Sequence, residues 1–146
     1  MKPIFIVSLY LVTFSVMAQS NADSTSLADP NMIYDIVDQA PEPDGGMTEF
    51  YNKVAMNVQY PKDARVKNIT GKVFVQFVVE QDGKILPENA KVVRSVFKSL
   101  DDEAVRVVLL TSPWKPGMLH GKPVRTRKTF PISFNLGGPA PSKKSQ

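Results

Sequence analysis

Ser112-Pro113-Trp114-Lys115-Pro116-Gly117 is followed by Gly121-Lys122-Pro123-Val124 and by Thr129-Phe130-Pro131-Ile132-Ser133-Phe134-Asn135-Leu136. The first piece holds the only tryptophan of the chain, with a proline on one side and another two residues on. In the last piece Ile132, Phe134 and Leu136 point one way, Ser133 and Asn135 the other, which predicts a final strand from about Val124 to Leu136. Pro131 has no N–H to give a central ladder, so this strand belongs at an edge or carries a bulge. An edge strand offers an unpaired row of donors and acceptors to another chain.

Upstream, Val73, Val75, Phe77 and Val79 alternate on one face of a strand, while Phe74 and Val78 share the other with Gln76 and Glu80. Gln81-Asp82-Gly83-Lys84 reads as a hairpin turn, since Asp-Gly supplies the positive φ such turns need. The return strand is expected from Ile85 to about Arg94, with Pro87 marking an irregularity near its start. Ser99 is the expected N-cap of a helix whose first turn carries Asp101, Asp102 and Glu103 and whose buried stripe is Leu100, Ala104, Val107, Val108 and Thr111.

Met47, Phe50, Tyr51, Val54 and Val58 form another helical stripe, and Pro61 stops that helix. Lys62 to Lys67 allows a further helical turn. Pro41 to Gly46 is dense in turn residues and marks the entry to the domain. Before it, Asn31 to Asp38 (NMIYDIVD) reads as either a short strand or a helical turn, in a stretch from Gln19 to Ala40 expected to be a flexible tether. The order helix, hairpin, helix, strand predicts a small α+β domain over 41–136: a three-stranded antiparallel sheet with helices packed on one face.

The whole chain has 146 residues, 22% charged and 42% hydrophobic, enough for one modest core plus tails. A net charge of +4 with both signs interspersed gives no clustered basic face, and nucleic acid is not an expected partner. The absence of cysteine excludes disulfides, thiolate metal sites and a cysteine nucleophile. Lys2, the apolar run Ile4 to Ala18 and the small residues before Gln19 read as a cleavable secretory signal over 1–18. The run falls short of the roughly 20 residues that span a bilayer, so a retained short anchor is the second reading and the only route to a membrane. Residues 137–146 are expected to be a disordered tail.

Trp114 reads as a core or rim tryptophan locked by Pro113 and Pro116. Arg125, Arg127 and Lys128 fit two roles equally: meeting acidic residues of a partner strand, or keeping an edge from aggregating. Asp101, Asp102 and Glu103 read as a charged first helical turn, not a metal or acid–base cluster. His120 is the only histidine and has no motif partner. No nucleophile–base–acid pattern, phosphate loop, HExxH or EF-hand sequence is present, so neither catalysis, a cofactor nor a metal is expected.

From about Asp38 to Leu136 the chain resembles the C-terminal domain of TonB. The matching pieces are Gly45-Gly46, Tyr60-Pro61 with Ala64, Gly71-Lys72-Val73, Asp82-Gly83 and Leu100-Asp101-Asp102-Glu103-Ala104. They continue with Trp114-Lys115-Pro116-Gly117, Gly121-Lys122-Pro123-Val124 and Pro131-Ile132-Ser133-Phe134. The resemblance implies a periplasmic module that grips the TonB box of an outer-membrane transporter by strand addition and passes on force from an inner-membrane motor. Main-chain hydrogen bonds would supply much of the affinity in such a mode, and alternating side chains the selectivity. By resemblance, Tyr60 and Pro61 lie near the docked segment, and Val124, Arg125, Thr126, Arg127, Lys128 and Thr129 lie on the pairing edge. The 12 prolines are scattered, not gathered into a spacer, and Gln19–Ala40 extends at most about 75 Å at roughly 3.4 Å per residue. That leaves an alternative: a soluble cell-envelope accessory module, a decoy or a homodimer through edge strands, without energy coupling.

Overall fold

A computed structural model of the protein describes residues 28–137. The expected signal over 1–18, most of the expected tether and the expected tail beyond 137 lie outside the described residues.

In chain order the elements are β1 (Ile33–Tyr34), β2 (Glu42–Pro43), α1 (Gly46–Asn57), α2 (Lys62–Val66), β3 (Gly71–Val79), β4 (Lys91–Arg94), α3 (Lys98–Leu109), β5 (Trp114–Lys115), β6 (Gly117–Leu119) and β7 (Lys122–Phe134). β3 is the middle of the sheet. β4 pairs with one side of it and β7 with the other, both antiparallel, so the predicted three-stranded antiparallel sheet is present. Two strands extend it and a separate pair stands beside it. β1 joins the far side of β7 in parallel, β6 folds back on the start of β7, and β2 pairs separately with β5.

The alternation of β3 decides which face is covered. Val73, Val75, Phe77 and Val79 are fully buried and meet Phe50 of α1 and Leu100, Ala104, Val107 and Val108 of α3. Ile132 and Phe134 complete that face from β7. Trp114 is 3% exposed and packs edge-on against Phe50 and Phe77, with ring centroids 5.7 and 5.3 Å away. Its indole Nε1 donates to Thr111 Oγ1 (3.1 Å), which donates to the Val108 carbonyl (2.6 Å). The tryptophan is a core residue with its polar atom satisfied, as its size and flanking prolines imply.

Several expectations need correction. Ser99 lies inside α3 and does not cap it; the N-cap position is Phe97, and the buried Ser99 hydroxyl lies beside the Asp63 carboxylate, whose pKa it lowers. No side chain caps α3; Asp101 in its first turn instead ties down the entering chain, accepting from the Val96 N–H (3.1 Å) and from the Ser95 hydroxyl. The return strand is broken: an isolated bridge joins Ile85 to Val79, a 3₁₀ turn spans Pro87–Asn89, and regular pairing resumes only at Lys91. Proline at the first position of that turn is tolerated because its missing N–H would be unpaired there in any case. On α1, Phe50 is buried and Val54 and Val58 are partly buried, but Met47 and Tyr51 are exposed, so the buried stripe is narrower than its spacing implies. β7 begins two residues earlier and ends two residues sooner than expected, leaving Leu136 exposed beyond it. Among the described residues no helix is long and apolar enough to cross a membrane.

Candidate functional site

β7 is the longest strand, and its two sides have different neighbours. Thr126 to Phe134 pair with β3 on the inner side. On the outer side β1 covers Arg125 and Thr126, in the register Ile33↔Arg125 and Tyr34↔Thr126. Beyond that point, from Lys128 to Phe134, no strand among the described residues pairs with the outer side. The open stretch contains Pro131, which accounts for its place at the margin.

The eight residues expected at the site separate into groups. Val124 and Thr126 are buried, so they offer a partner backbone only. Arg125 and Arg127 occupy the opposite face. Arg125 Nε and Nη2 donate to the two Glu80 oxygens at 2.7 and 3.1 Å, and Nη1 donates to the Asn31 carbonyl at 3.2 Å. That carboxylate holds the Arg125 guanidinium above its already high ordinary pKa. Arg127 Nη1 lies 3.0 and 3.2 Å from the Asp35 oxygens. Lys128 is half-buried opposite Phe77, and Thr129 is exposed opposite Gln76.

Tyr60 and Pro61 belong to a different neighbourhood. The Tyr60 hydroxyl donates to the Ile69 carbonyl, and its ring stands edge-on to Phe134 at 5.9 Å with the Arg65 guanidinium 5.7 Å from its centroid. Pro61 is the N-cap of α2. Tyr60 therefore fixes the C-terminal end of β7, about 30 Å along the strand from Arg125 at roughly 3.3 Å per residue. The structure does not bring the Tyr-Pro pair together with Arg125–Thr129.

Sequence reasoning missed the residues that already occupy this edge. Ile33 and Tyr34 pair with it, Asp35 meets Arg127, and Glu80 clamps Arg125. One signal was available: the acid-flanked apolar run NMIYDIVD is complementary in charge to Arg125-Thr126-Arg127. On the solvent face beside β1 an open groove of about 310 Å³ is lined by Ile33, Gln76, Val78, Glu88, Lys91 and Arg127, among others. Among the described residues no group of three or more His, Asp or Glu side chains is placed to hold a metal ion.

A helix-backed sheet whose last strand keeps a partly open outer side defines a class of small α+β domains. The family described as Gram-negative bacterial TonB protein C-terminal matches residues 56–136. The chain belongs to the TonB C-terminal domain family. The solved TonB C-terminal domain of Helicobacter pylori is similar to it at TM-score 0.50 and 20% identity, covering 64% of this chain and 96% of that one. A second structure of that domain aligns at TM-score 0.48 and 21% identity, covering 62% and 79%. The Pseudomonas aeruginosa TonB C-terminal domain is 28% identical at TM-score 0.39, covering 56% and 81%. The first of these shows the shared fold. A search of curated protein sequences found no match.

Proposed function

We propose that this chain is an exported TonB-like module that binds TonB boxes of outer-membrane transporters by strand addition to the outer side of β7 and takes part in TonB-dependent transport. Residues 1–18 act as the signal, 41–136 as the binding domain, and the periplasm is the compartment. The domain binds and transmits; it does not catalyse.

One observation carries this reading. The outer side of β7 already accepts an extended segment, Ile33–Tyr34, and continues past it as an unpaired row from Lys128 to Phe134. An unpaired strand side with a helix-covered core behind it is what β-augmentation requires. A row of main-chain hydrogen bonds loaded together shares tension, which suits a pulling role. Lys128 places positive charge on this row for an acidic partner segment, with Arg125 and Arg127 next to it where Glu80 and Asp35 now pair with them. Val124, Thr126 and Thr129 contribute backbone groups. Tyr60 supports the row at its far end through Phe134, with Pro61 following it as the N-cap of α2.

The test is a backbone amide NMR titration of the full chain with peptides carrying transporter TonB boxes. Shifts confined to residues 124–134 are expected. If every cognate peptide leaves those signals in place, the docking reading is wrong. A second copy of the chain is the competing occupant, since the same open row suits edge-to-edge pairing. Shifts at 128–134 that grow with protein concentration alone would favour it.

A further inference from the structure

The segment from Asp29 to Asp35 is bound to β7 in an unusual manner for a structural strand. Its pairing covers two residues and runs parallel. Its apolar side chains contribute little: Met32 is 54% exposed and Ile36, just beyond it, 87% exposed. Neither Ile33 nor Tyr34 belongs to the buried core. Polar contacts hold it instead. Arg125 donates to the Asn31 carbonyl, Gln81 donates to the Pro30 carbonyl at 3.1 Å, and Arg127 pairs with Asp35. That ion pair is largely solvent-exposed and therefore screened by salt. The segment also shapes itself: the Asp29 N–H donates to the Tyr34 hydroxyl at 2.8 Å, and Asp29 Oδ1 accepts from the Asn31 N–H at 2.8 Å.

The segment is thus a main-chain-paired, charge-matched strand that no core contact requires. We propose that Asp29–Asp35 is an internal competitor held in the docking row, so that an incoming strand pairs across Arg125–Arg127 only after this segment leaves. The proposal rests on the reading of β7 as a docking edge and adds its regulation. Low burial and exposed bonds are the marks of a segment that opens without global unfolding. Its return is fast and local, because Asp38 and Gln39 stay bonded to Met118 at 2.9 and 3.1 Å and keep it close to its site. Such tethering gives an effective concentration in the millimolar range, which a free peptide must exceed. The bound segment also describes its successor. It is extended, runs parallel to β7, sets an apolar residue beside Val78 and Arg127, and places a carboxylate two positions later against Arg127.

The experiment uses the full chain, native and as two variants, Asp35→Arg and Tyr34→Pro. Asp35→Arg sets like charges against each other at Arg127. Tyr34→Pro removes a backbone N–H and the hydroxyl that orders the turn. The probe is a synthetic peptide of this chain's own residues 29–36. Both variants should keep the native melting temperature within a few degrees, exchange amides 125–127 faster, and bind the peptide there at least tenfold more tightly than the native chain. Equal binding by all three proteins, or equally fast exchange at 125–127 in all three, overturns the proposal. Transporter-box peptides on the same samples separate the two readings. Tight binding that is equal in native chain and variants removes the competitor and leaves docking standing. No binding of those peptides to any sample, with the chain's own peptide still taken up by the variants, removes transporter docking and supports the competitor.

Discussion

Gly83 ties the hairpin turn to the tryptophan. Its φ is +85°, its carbonyl accepts the Trp114 N–H at 2.7 Å, and a Cβ there would lie 1.9 Å from the Trp114 carbonyl oxygen. The Asp-Gly signal accounts for the positive φ. It says nothing of the second demand, that the turn lie directly against the segment holding Trp114, because that contact joins residues 31 positions apart. Gly121 provides the contrast: its φ is +74°, yet nothing lies within 4 Å of a Cβ added there. Gly121→Ala should therefore cost only the backbone strain, about 1 kcal/mol. Gly83→Ala should cost that strain plus a clash that only backbone movement relieves, at least about 2 kcal/mol more than Gly121→Ala. Urea midpoints at constant slope would measure both. Similar midpoints for the two variants would mean that the turn does not bear on Trp114 in solution.

At the scale of the element, α3 separates what a pattern conveys from what it hides. Leu100, Ala104, Val107, Val108 and Thr111 are all buried, as the helical period implies, because burial follows directly from the angular spacing of side chains. The local bonding at its start did not follow from residue type. Ser99 and Asp101 are both capable acceptors near a helix start, and which of them meets the entering chain depends on where that chain comes in. Here it enters through Ser95 and Val96, whose hydroxyl and N–H both point to Asp101. Asp101→Ala should lower stability by about 1 kcal/mol, the usual net worth of a lost hydrogen bond. Ser99→Ala removes the hydroxyl beside the exposed Asp63 carboxylate and should cost less than that. Thermal melts of the two variants decide it; a larger loss from Ser99→Ala would mean that the Ser99–Asp63 contact outweighs the bonds to Asp101. β1 was less legible still. Two residues cannot display a period of two, so NMIYDIVD stayed ambiguous between strand and helical turn, and its partner lies some 90 residues away. β7 was legible as an edge from Pro131 alone, but not as an edge already occupied at Arg125 and Thr126.

At the scale of the molecule, the stability of the fold and the availability of its edge lie on opposite sides of one strand. Consecutive residues in a strand turn their N–H groups to opposite sides. In the stretch Lys128–Phe134 one side is the β3 ladder and the other is unpaired among the described residues. Thr126 is a poor probe of this division, because it is paired with Val79 on one side and Tyr34 on the other and is itself buried. Lys128 and Thr129 are the cleaner pair: neighbours, opposite Phe77 and Gln76, with no strand on their outer side. Proline in place of one removes a ladder hydrogen bond to β3 and should cost about 1–3 kcal/mol. Proline in place of the other removes an outward N–H, should leave the melting temperature nearly native, and should abolish binding of a docked peptide. Melting curves and peptide titrations on Lys128→Pro and Thr129→Pro reveal which is which. If stability and binding fall together in both variants, the outer side of β7 is not a separate surface, and strand addition there is not how this domain holds a partner.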